Sequence, residues 1–207
     1  GSIGIFGAHA NSMGIEYLDN NISTTTTTKP PSLLKIIHHI NANPFATYQS
    51  HSEQEILQST QRKNLIQILN DKWNGKDRDL KVLLTNNALS DIIGRTAYTR
   101  LAHLTGGTHD TILLRRCAEH NNVIKFHTDE SYKTLQVPLN NESEYEGGKL
   151  VYITTDRGNA ATLHFPKRPA GSFTLHRNDI AHGVTRLVAG VRYGLFLLQK
   201  KEATSES

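Results

Sequence analysis

The stretch that decides the fold is FHTDESYKTLQVPLNNESEYEGGKLVYIT, residues 126–154. Within it, TLQVPL (134–139) alternates in polarity, KLVYIT (149–154) is mostly apolar, and Asn and Gly residues lie between them. This pattern is typical of β-strands joined by turns, because successive side chains of a strand point to opposite faces. An ionisable pair, His127 and Asp129, lies just before the first of these predicted strands.

The same pattern of short segments separated by Gly, Asn, Asp and Pro extends over the second half of the chain, with about eight predicted strands. These strands cover residues 111–119, 123–127, 134–139, 149–154, 161–165, 171–176, 182–188 and 191–198. The first half is different, because its apolar residues follow a helical period in two segments, 52–75 and 87–107. We therefore expect a mainly β protein in which helices pack outside a rolled antiparallel sheet or sandwich.

Three local features refine the prediction for the first half of the chain. Ser52 and Glu55 have the spacing of a capping box and predict the start of the first helix. Residues 80–85 form a short apolar run that predicts a strand. The segment SLLKIIHHIN (32–41) fits a short helix or a strand equally well.

The length of 207 residues is sufficient for one domain with a substantial core. Residues 1–31 include a Thr tract followed by two prolines, and we expect them to be a flexible tail whose first residues are of cloning origin. Residues 32–200 are predicted to form a single domain, and 201–207 a second flexible tail.

The bulk composition excludes several classes of protein. The net charge is +4 and the pI about 9.2, but the basic residues are scattered and form no clear patch for nucleic acid. The single cysteine, Cys117, excludes an intrachain disulfide and a CxxC metal site, and we expect it to be a small buried residue. No apolar run approaches the ~20 residues of a membrane helix. The expectation is an intracellular protein, cytoplasmic or nuclear.

His127 and Asp129 offer an imidazole nitrogen and a carboxylate oxygen on the same face of a strand. A second histidine would complete the 2-His-1-carboxylate triad that suits non-haem Fe(II). The tripeptide alone is weak evidence, since a structural histidine beside a turn aspartate is more common. His182 is one candidate for the third ligand, and the histidines that compete with it are His120, His164 and His176.

Arg192 follows His182 by ten residues. If residues 186–190 form a hairpin turn, the two side chains face each other across paired strands. A buried arginine needs an anion, which a carboxylate ligand would supply through bidentate contacts and which Asp179 could supply instead. The alternative is an exposed arginine on an edge strand.

The polar face of the strand 134–139 carries Thr134, Gln136 and Pro138. This face could look inward at a ligand in a barrel with a wet interior, or it could simply face solvent.

From about residue 110 to residue 198 the chain resembles the Fe(II)- and 2-oxoglutarate-dependent dioxygenases, in particular their prolyl-4-hydroxylase-like branch. The matching features are FHTD (126–129), EGGKLVYI (146–153), AHGV (181–184) and Arg192 beyond them. The resemblance implies a double-stranded β-helix, the jelly-roll or cupin-like fold, with supporting N-terminal helices.

The resemblance also implies that His127, Asp129 and His182 hold Fe(II) and that Arg192 pairs with the far carboxylate of 2-oxoglutarate. Four residues after Arg192, where relatives often carry a Thr or Ser that shares this carboxylate, the chain has Phe196. Gln136 and Thr134 are the candidates for the missing contact. No catalytic residue beyond the metal centre is expected.

The activity implied by the resemblance is hydroxylation of a C–H bond with dioxygen, with release of succinate and carbon dioxide and with ascorbate as a candidate reductant. Asp129 favours hydroxylation over halogenation, because halogenating relatives usually have a small residue in its place. The expected substrate is a prolyl or other residue in a protein or peptide. Oxidation or demethylation of a nucleic-acid base is the alternative, and a non-catalytic binding module, which Phe196 favours, is the alternative of another class.

Overall fold

The computed structural model describes residues 32–119, 123–155 and 160–200. The helices are α1 (Leu33–His39), α2 (Ser59–Lys72), α3 (Asn86–Ile93) and α4 (Arg95–Thr105). The strands are β1 (Tyr48–His51), β2 (Asp79–Leu84), β3 (Thr111–Ala118), β4 (Ile124–His127), β5 (Lys133–Pro138), β6 (Tyr145–Gly147), β7 (Leu150–Thr155), β8 (Ala161–His164), β9 (Phe173–Arg177), β10 (Ala181–Val184) and β11 (Leu187–Gln199). A 3-10 turn, Glu142–Glu144, precedes β6.

The strands form two antiparallel sheets. The larger sheet has the order β1-β9-β5-β11-β3-β2, with β6 paired to one end of β11, and the smaller sheet has the order β4-β10-β7-β8. The two sheets enclose the site described below, and together they form a double-stranded β-helix. The predicted fold class, mainly β with supporting helices, is therefore confirmed. No helix in the described part of the chain is long and apolar enough to cross a membrane.

Helices α2, α3 and α4 cover the outer face of the larger sheet. Leu65 and Leu101 of these helices pack into one apolar cluster with alternate residues of β5 and β11, such as Leu135 and Leu195. Because side chains alternate along a strand, the residues between them point to the other face, between the two sheets. The strand β5 is thus buried on both faces.

The polar face of β5 therefore looks inward. Thr134 is 3% exposed and Gln136 is 4% exposed, which excludes the alternative that this face meets solvent. The interior between the sheets consequently carries polar groups that must find partners or a ligand.

The first half of the chain shows two differences from prediction, and it decides one alternative that the sequence left open. Helix α2 begins at Ser59 and not at residue 52, because the backbone N–H of Ile56 is bonded to the carbonyl of Gly171 at 2.8 Å and holds the preceding segment away from the helix. Gln61 caps α2 by accepting the N–H of Gln58 at 2.8 Å. The predicted helix 87–107 is two helices, separated at Gly94, whose φ of +85° favours glycine. Residues 33–39 form a helix.

The predicted hairpin between residues 182 and 192 is wrong. Strand β10 pairs with β4 and β7, whereas β11 pairs with β3 and β5 in the other sheet. The chain crosses between the sheets after Thr185, and Gly190 then pairs with Tyr145 of β6. His182 and Arg192 thus lie on different sheets, and the interior between the sheets separates them.

The two predicted tails, 1–31 and 201–207, lie outside the described residues, as does His120.

Candidate metal centre

Strands β4 and β10 are neighbours in the smaller sheet, and their register places His127 directly opposite His182. Asp129 lies two residues beyond the end of β4. One ligand atom from each of these residues lies within 4.8 Å of the other two, so the three side chains predicted as metal ligands converge and could hold a metal ion.

The orientation of both imidazole rings is fixed by the main chain. His127 Nδ1 lies 2.8 Å from the carbonyl oxygen of Lys125, and His182 Nδ1 lies 3.3 Å from that of Ile180. A ring that donates Nδ1–H to a carbonyl leaves the lone pair of Nε2 free to bind a metal. The Nε2 atoms of His127 and His182 lie 3.4 and 3.5 Å from Asp129 Oδ1. Two imidazoles and one carboxylate form a donor set that fits Fe(II).

The charges of the cluster follow from its burial. Burial alone would raise the pKa of the Asp129 carboxyl, but hydrogen bonds from His127 and His176 outweigh it and hold that pKa well below its usual range. Burial, together with the neighbouring His176, lowers the pKa of His182 to about 3, so this ring is neutral. The hydrogen bond to Asp129 raises the pKa of His127. At neutral pH the centre has an anionic carboxylate and a neutral His182, which are the forms that bind metals.

The second oxygen of Asp129 is held by two further side chains. His176 Nε2 lies 3.0 Å from Oδ2, and the hydroxyl of Thr134 donates to the same oxygen at 2.5 Å. Ser131 Oγ lies 2.8 Å from Thr134 Oγ1. The hydroxyl of Thr134 is thus directed at Asp129, and its predicted contact with 2-oxoglutarate stays a prediction.

His176 was considered in the sequence only as a competitor for the metal. Its side chain has no exposed surface, and its Nδ1 lies 2.9 Å from the hydroxyl of the buried Tyr152. Position 176 pairs with Thr134 in the sheet, so the two residues that hold Asp129 are cross-strand neighbours. Recognising this role from sequence would have required the pairing of β5 with β9. His164 lies apart from this cluster, with Nε2 2.6 Å from Thr154 Oγ1.

Arg192 is buried, with 7% of its surface exposed, so the alternative of an exposed arginine on an edge strand is excluded. It forms no ion pair with any residue in the described ranges, and Asp179, the alternative partner, instead accepts a hydrogen bond from Asn43 at 3.3 Å. Arg192 lines a pocket between the two sheets together with Gly148, Thr185 and Ile124. The carboxylate that lines this pocket, Asp79, is already paired with Arg115. A buried cation without an ion pair of its own among the described residues fits an anionic ligand.

Two further residues of the interior lie on neighbouring strands. Phe196 is directly opposite Gln136 in the register of β11 with β5. Its ring lies over Gly194, where an added Cβ would approach Phe196 Cε2 to 2.9 Å. The predicted role of Gln136 as a contact for 2-oxoglutarate stays a prediction.

Cys117 lies opposite Arg192 on β3 and lines the same pocket. Its Sγ lies 3.4 Å from Asp79 Oδ1, so this half-buried thiol has a polar contact that the sequence did not suggest. Asp79 also accepts two hydrogen bonds from Arg115, at 2.7 and 2.8 Å. Arg115 is thereby neutralised, unlike Arg192.

Solved structures resemble this chain in fold. AviO1 from Streptomyces viridochromogenes has a TM-score of 0.53 and is 13% identical, over 82% of this chain and 95% of that one. HygX from Streptomyces hygroscopicus, solved with nickel and 2-oxoglutarate bound, has a TM-score of 0.52 and is 13% identical, over 82% and 88%. A prolyl hydroxylase from Trichoplax adhaerens, in complex with a peptide fragment of hypoxia inducible factor, has a TM-score of 0.50 and is 14% identical, over 87% and 98%.

The chain shares its fold with these proteins. Neither a protein-family model nor a curated protein sequence matches it significantly. At identities of 13% and 14% the likeness concerns the fold alone, and function must be argued from the residues of the site.

Proposed function

We propose that this chain is an Fe(II)- and 2-oxoglutarate-dependent dioxygenase that hydroxylates a C–H bond. The observation that carries the proposal is the convergence of His127, Asp129 and His182 to within 4.8 Å inside a double-stranded β-helix. Bound iron, with 2-oxoglutarate and dioxygen, supplies the oxidising chemistry, and the products are succinate, carbon dioxide and the hydroxylated substrate.

The residues of the site then have separate tasks. His127 and His182 would present their Nε2 atoms to the metal because backbone carbonyls accept hydrogen bonds from their Nδ1–H groups. His176 and Thr134 fix Oδ2 of Asp129, which directs Oδ1 toward the two imidazoles. Arg192 binds the far carboxylate of 2-oxoglutarate, since it is a buried cation with no ion pair among the described residues.

For the substrate we propose a prolyl or other residue of a protein or peptide. The order of the H-x-D pair, the Gly-Gly strand, the distal histidine and the basic residue supports the prolyl-4-hydroxylase-like branch. One protein of the same fold is a prolyl hydroxylase in complex with a peptide, which is consistent with this choice.

The test is 2-oxoglutarate turnover by the purified chain with Fe(II), ascorbate and a pool of proline-containing peptides. We expect succinate release that depends on peptide, and a peptide product heavier by one oxygen atom. Asp129→Ala and His182→Ala should abolish both signals, whereas His164→Ala, a histidine outside the cluster, should retain them.

Other outcomes would change the proposal. Wild-type activity in either ligand variant would show that the assignment of that ligand is wrong. Succinate release that depends on an oligonucleotide and not on peptide would favour oxidation of a nucleic-acid base. A folded protein that binds neither iron nor 2-oxoglutarate would be the non-catalytic binding module.

A further inference from the structure

A second arginine is buried without a counterion among the described residues. Arg168 lies in the segment before β9 and is 3% exposed, and its Nε has no hydrogen-bond partner among the described residues. It also forms no ion pair with a carboxylate in the described ranges, whereas Arg62 pairs with Glu55 and Arg115 with Asp79. Burying an unpaired charge is costly, so such a residue needs a reason other than stability.

The backbone places Arg168 at the Arg192 end of the interior. The segment that carries it is fixed to the end of β5, because Gly171 N–H is bonded to the carbonyl of Pro138 at 2.8 Å and Ala170 N–H to Asn141 Oδ1 at 3.1 Å. Pro138 is directly opposite Gly194 in the sheet. Gly194 is two residues from Arg192 on the same face of β11, and it contributes no side chain to the space there.

The electrostatics agree with this placement. Burial, and next the positive charge of Arg192, lower the pKa of Arg168 to about 10, so Arg168 remains charged at neutral pH and is repelled by Arg192. The negative charge of Glu142 acts on Arg168 in the opposite direction and raises its pKa. This carboxylate, however, already accepts a hydrogen bond from Lys149 at 3.0 Å. Two buried cations that repel each other form a site for an anion with more than one charged oxygen.

We propose that Arg168 joins Arg192 in binding the far carboxylate of 2-oxoglutarate. This inference rests on the proposed function and identifies the contact that Phe196 cannot make. The ring of Phe196 covers Gly194 and offers no hydroxyl, and the hydroxyl of Thr134 is directed at Asp129. On this proposal the segment before β9 supplies a contact to the carboxylate that β11 does not, and the contact predicted for Gln136 of β5 is a separate one.

The test compares two ligands that differ only at the far end. The Mn(II)-loaded wild type and Arg168→Met are titrated calorimetrically with 2-oxoglutarate and with 2-oxopentanoate, which has a methyl group in place of the far carboxylate. The substitution should weaken binding of 2-oxoglutarate on the order of 30-fold and leave 2-oxopentanoate unchanged. Arg168→Lys keeps the charge without the planar fork and should fall between the two proteins.

Arg116→Met is the matched control. Arg116 is also buried, with Nε and Nη1 unpartnered within the described chain, but it lies on the helix-covered face of β3 with its guanidinium carbon 3.9 Å above the ring of Trp73. This variant should bind both ligands as the wild type does. A thermal unfolding transition is recorded for each variant to show that it is folded.

The outcomes separate this inference from the proposed function. If the wild type binds 2-oxoglutarate and Arg168→Met binds it equally well, the inference is wrong and the proposed function stands. If Arg168→Met weakens the binding of both ligands by the same factor, Arg168 has only a structural role and the inference is also wrong. If the folded wild type binds Mn(II) but no 2-oxoglutarate, both proposals fail.

Discussion

Replacing Thr134 by valine removes one hydroxyl from the surroundings of Asp129 and keeps the shape of the side chain. The hydroxyl donates to Asp129 Oδ2 at 2.5 Å, and Thr134 is 3% exposed, so water cannot readily take its place. We expect Thr134→Val to bind a divalent metal more weakly, because Oδ1 faces the two imidazoles only while Oδ2 is held.

The magnitude follows from the contacts of the carboxylate. Loss of a side chain that orients a metal ligand typically costs ~10–100-fold in metal affinity, which is about 1.4–2.7 kcal/mol. His176 remains 3.0 Å from the same oxygen, so the carboxylate keeps one of its two supports and the loss should lie near the lower limit, about 10-fold.

The assay is calorimetric titration of the metal-free protein with Mn(II), in the absence of 2-oxoglutarate. Thr105→Val is the control, because Thr105 is a fully buried threonine whose hydroxyl bonds to the helix α4 carbonyl of Leu101 at 3.3 Å and does not contact the centre. It should bind Mn(II) as the wild type does. Equal affinity of Thr134→Val and the wild type would refute the reasoning that the hydroxyl orients Asp129.

Three further predictions concern Arg192, Tyr152 and His109. Arg192→Ala should weaken 2-oxoglutarate binding by ~2–5 kcal/mol and leave the affinity for Mn(II) unchanged, as measured by titration with each ligand. An equal loss of affinity for both ligands would contradict the assignment of Arg192 to the far carboxylate. Tyr152→Phe removes the hydroxyl that lies 2.9 Å from His176 Nδ1 and should lower the free energy of unfolding by about 1 kcal/mol, as measured by denaturant titration. An unchanged free energy of unfolding would show that this hydrogen bond does not stabilise the protein. Burial lowers the pKa of His109 from 6.5 to about 4, so between these pH values the unfolded chain gains a proton that the folded chain does not. As the pH falls from 6.5 to about 4, the free energy of unfolding of the wild type should therefore decrease by about 3 kcal/mol more than that of His109→Phe. Parallel pH profiles of the two proteins would disprove this prediction.

The strands of the second half of the chain were predictable because their side chains alternate and turn residues separate them. Strands β1 and β6 were missed, since YQSH and YEG are too short and polar to show such a pattern. The start of α2 was misplaced because Ile56 is bonded to Gly171, a contact between distant parts of the chain that no local pattern reports.

Some residues of the candidate site were likewise predictable from the sequence, and others were not. His127 and Asp129 are close in sequence, and His182 was tied to them by the resemblance. The contact of His176 with Asp129 and the burial of Arg168 were not predicted, because they depend on how β5 pairs with β9 and on the backbone contacts of the segment before β9. The relation of His182 to Arg192 was predicted from a hairpin, and the structure instead has the two strands in different sheets.

The central claim is that His127, Asp129 and His182 form an iron centre that also binds 2-oxoglutarate. The most direct test is anaerobic titration of the protein with Fe(II) and 2-oxoglutarate, monitored for the weak visible charge-transfer absorption between the metal and the cosubstrate. We expect this absorption in the wild type and in His164→Ala, and its loss in His182→Ala. Folded wild-type protein without the absorption, or His182→Ala with undiminished absorption, would contradict the account.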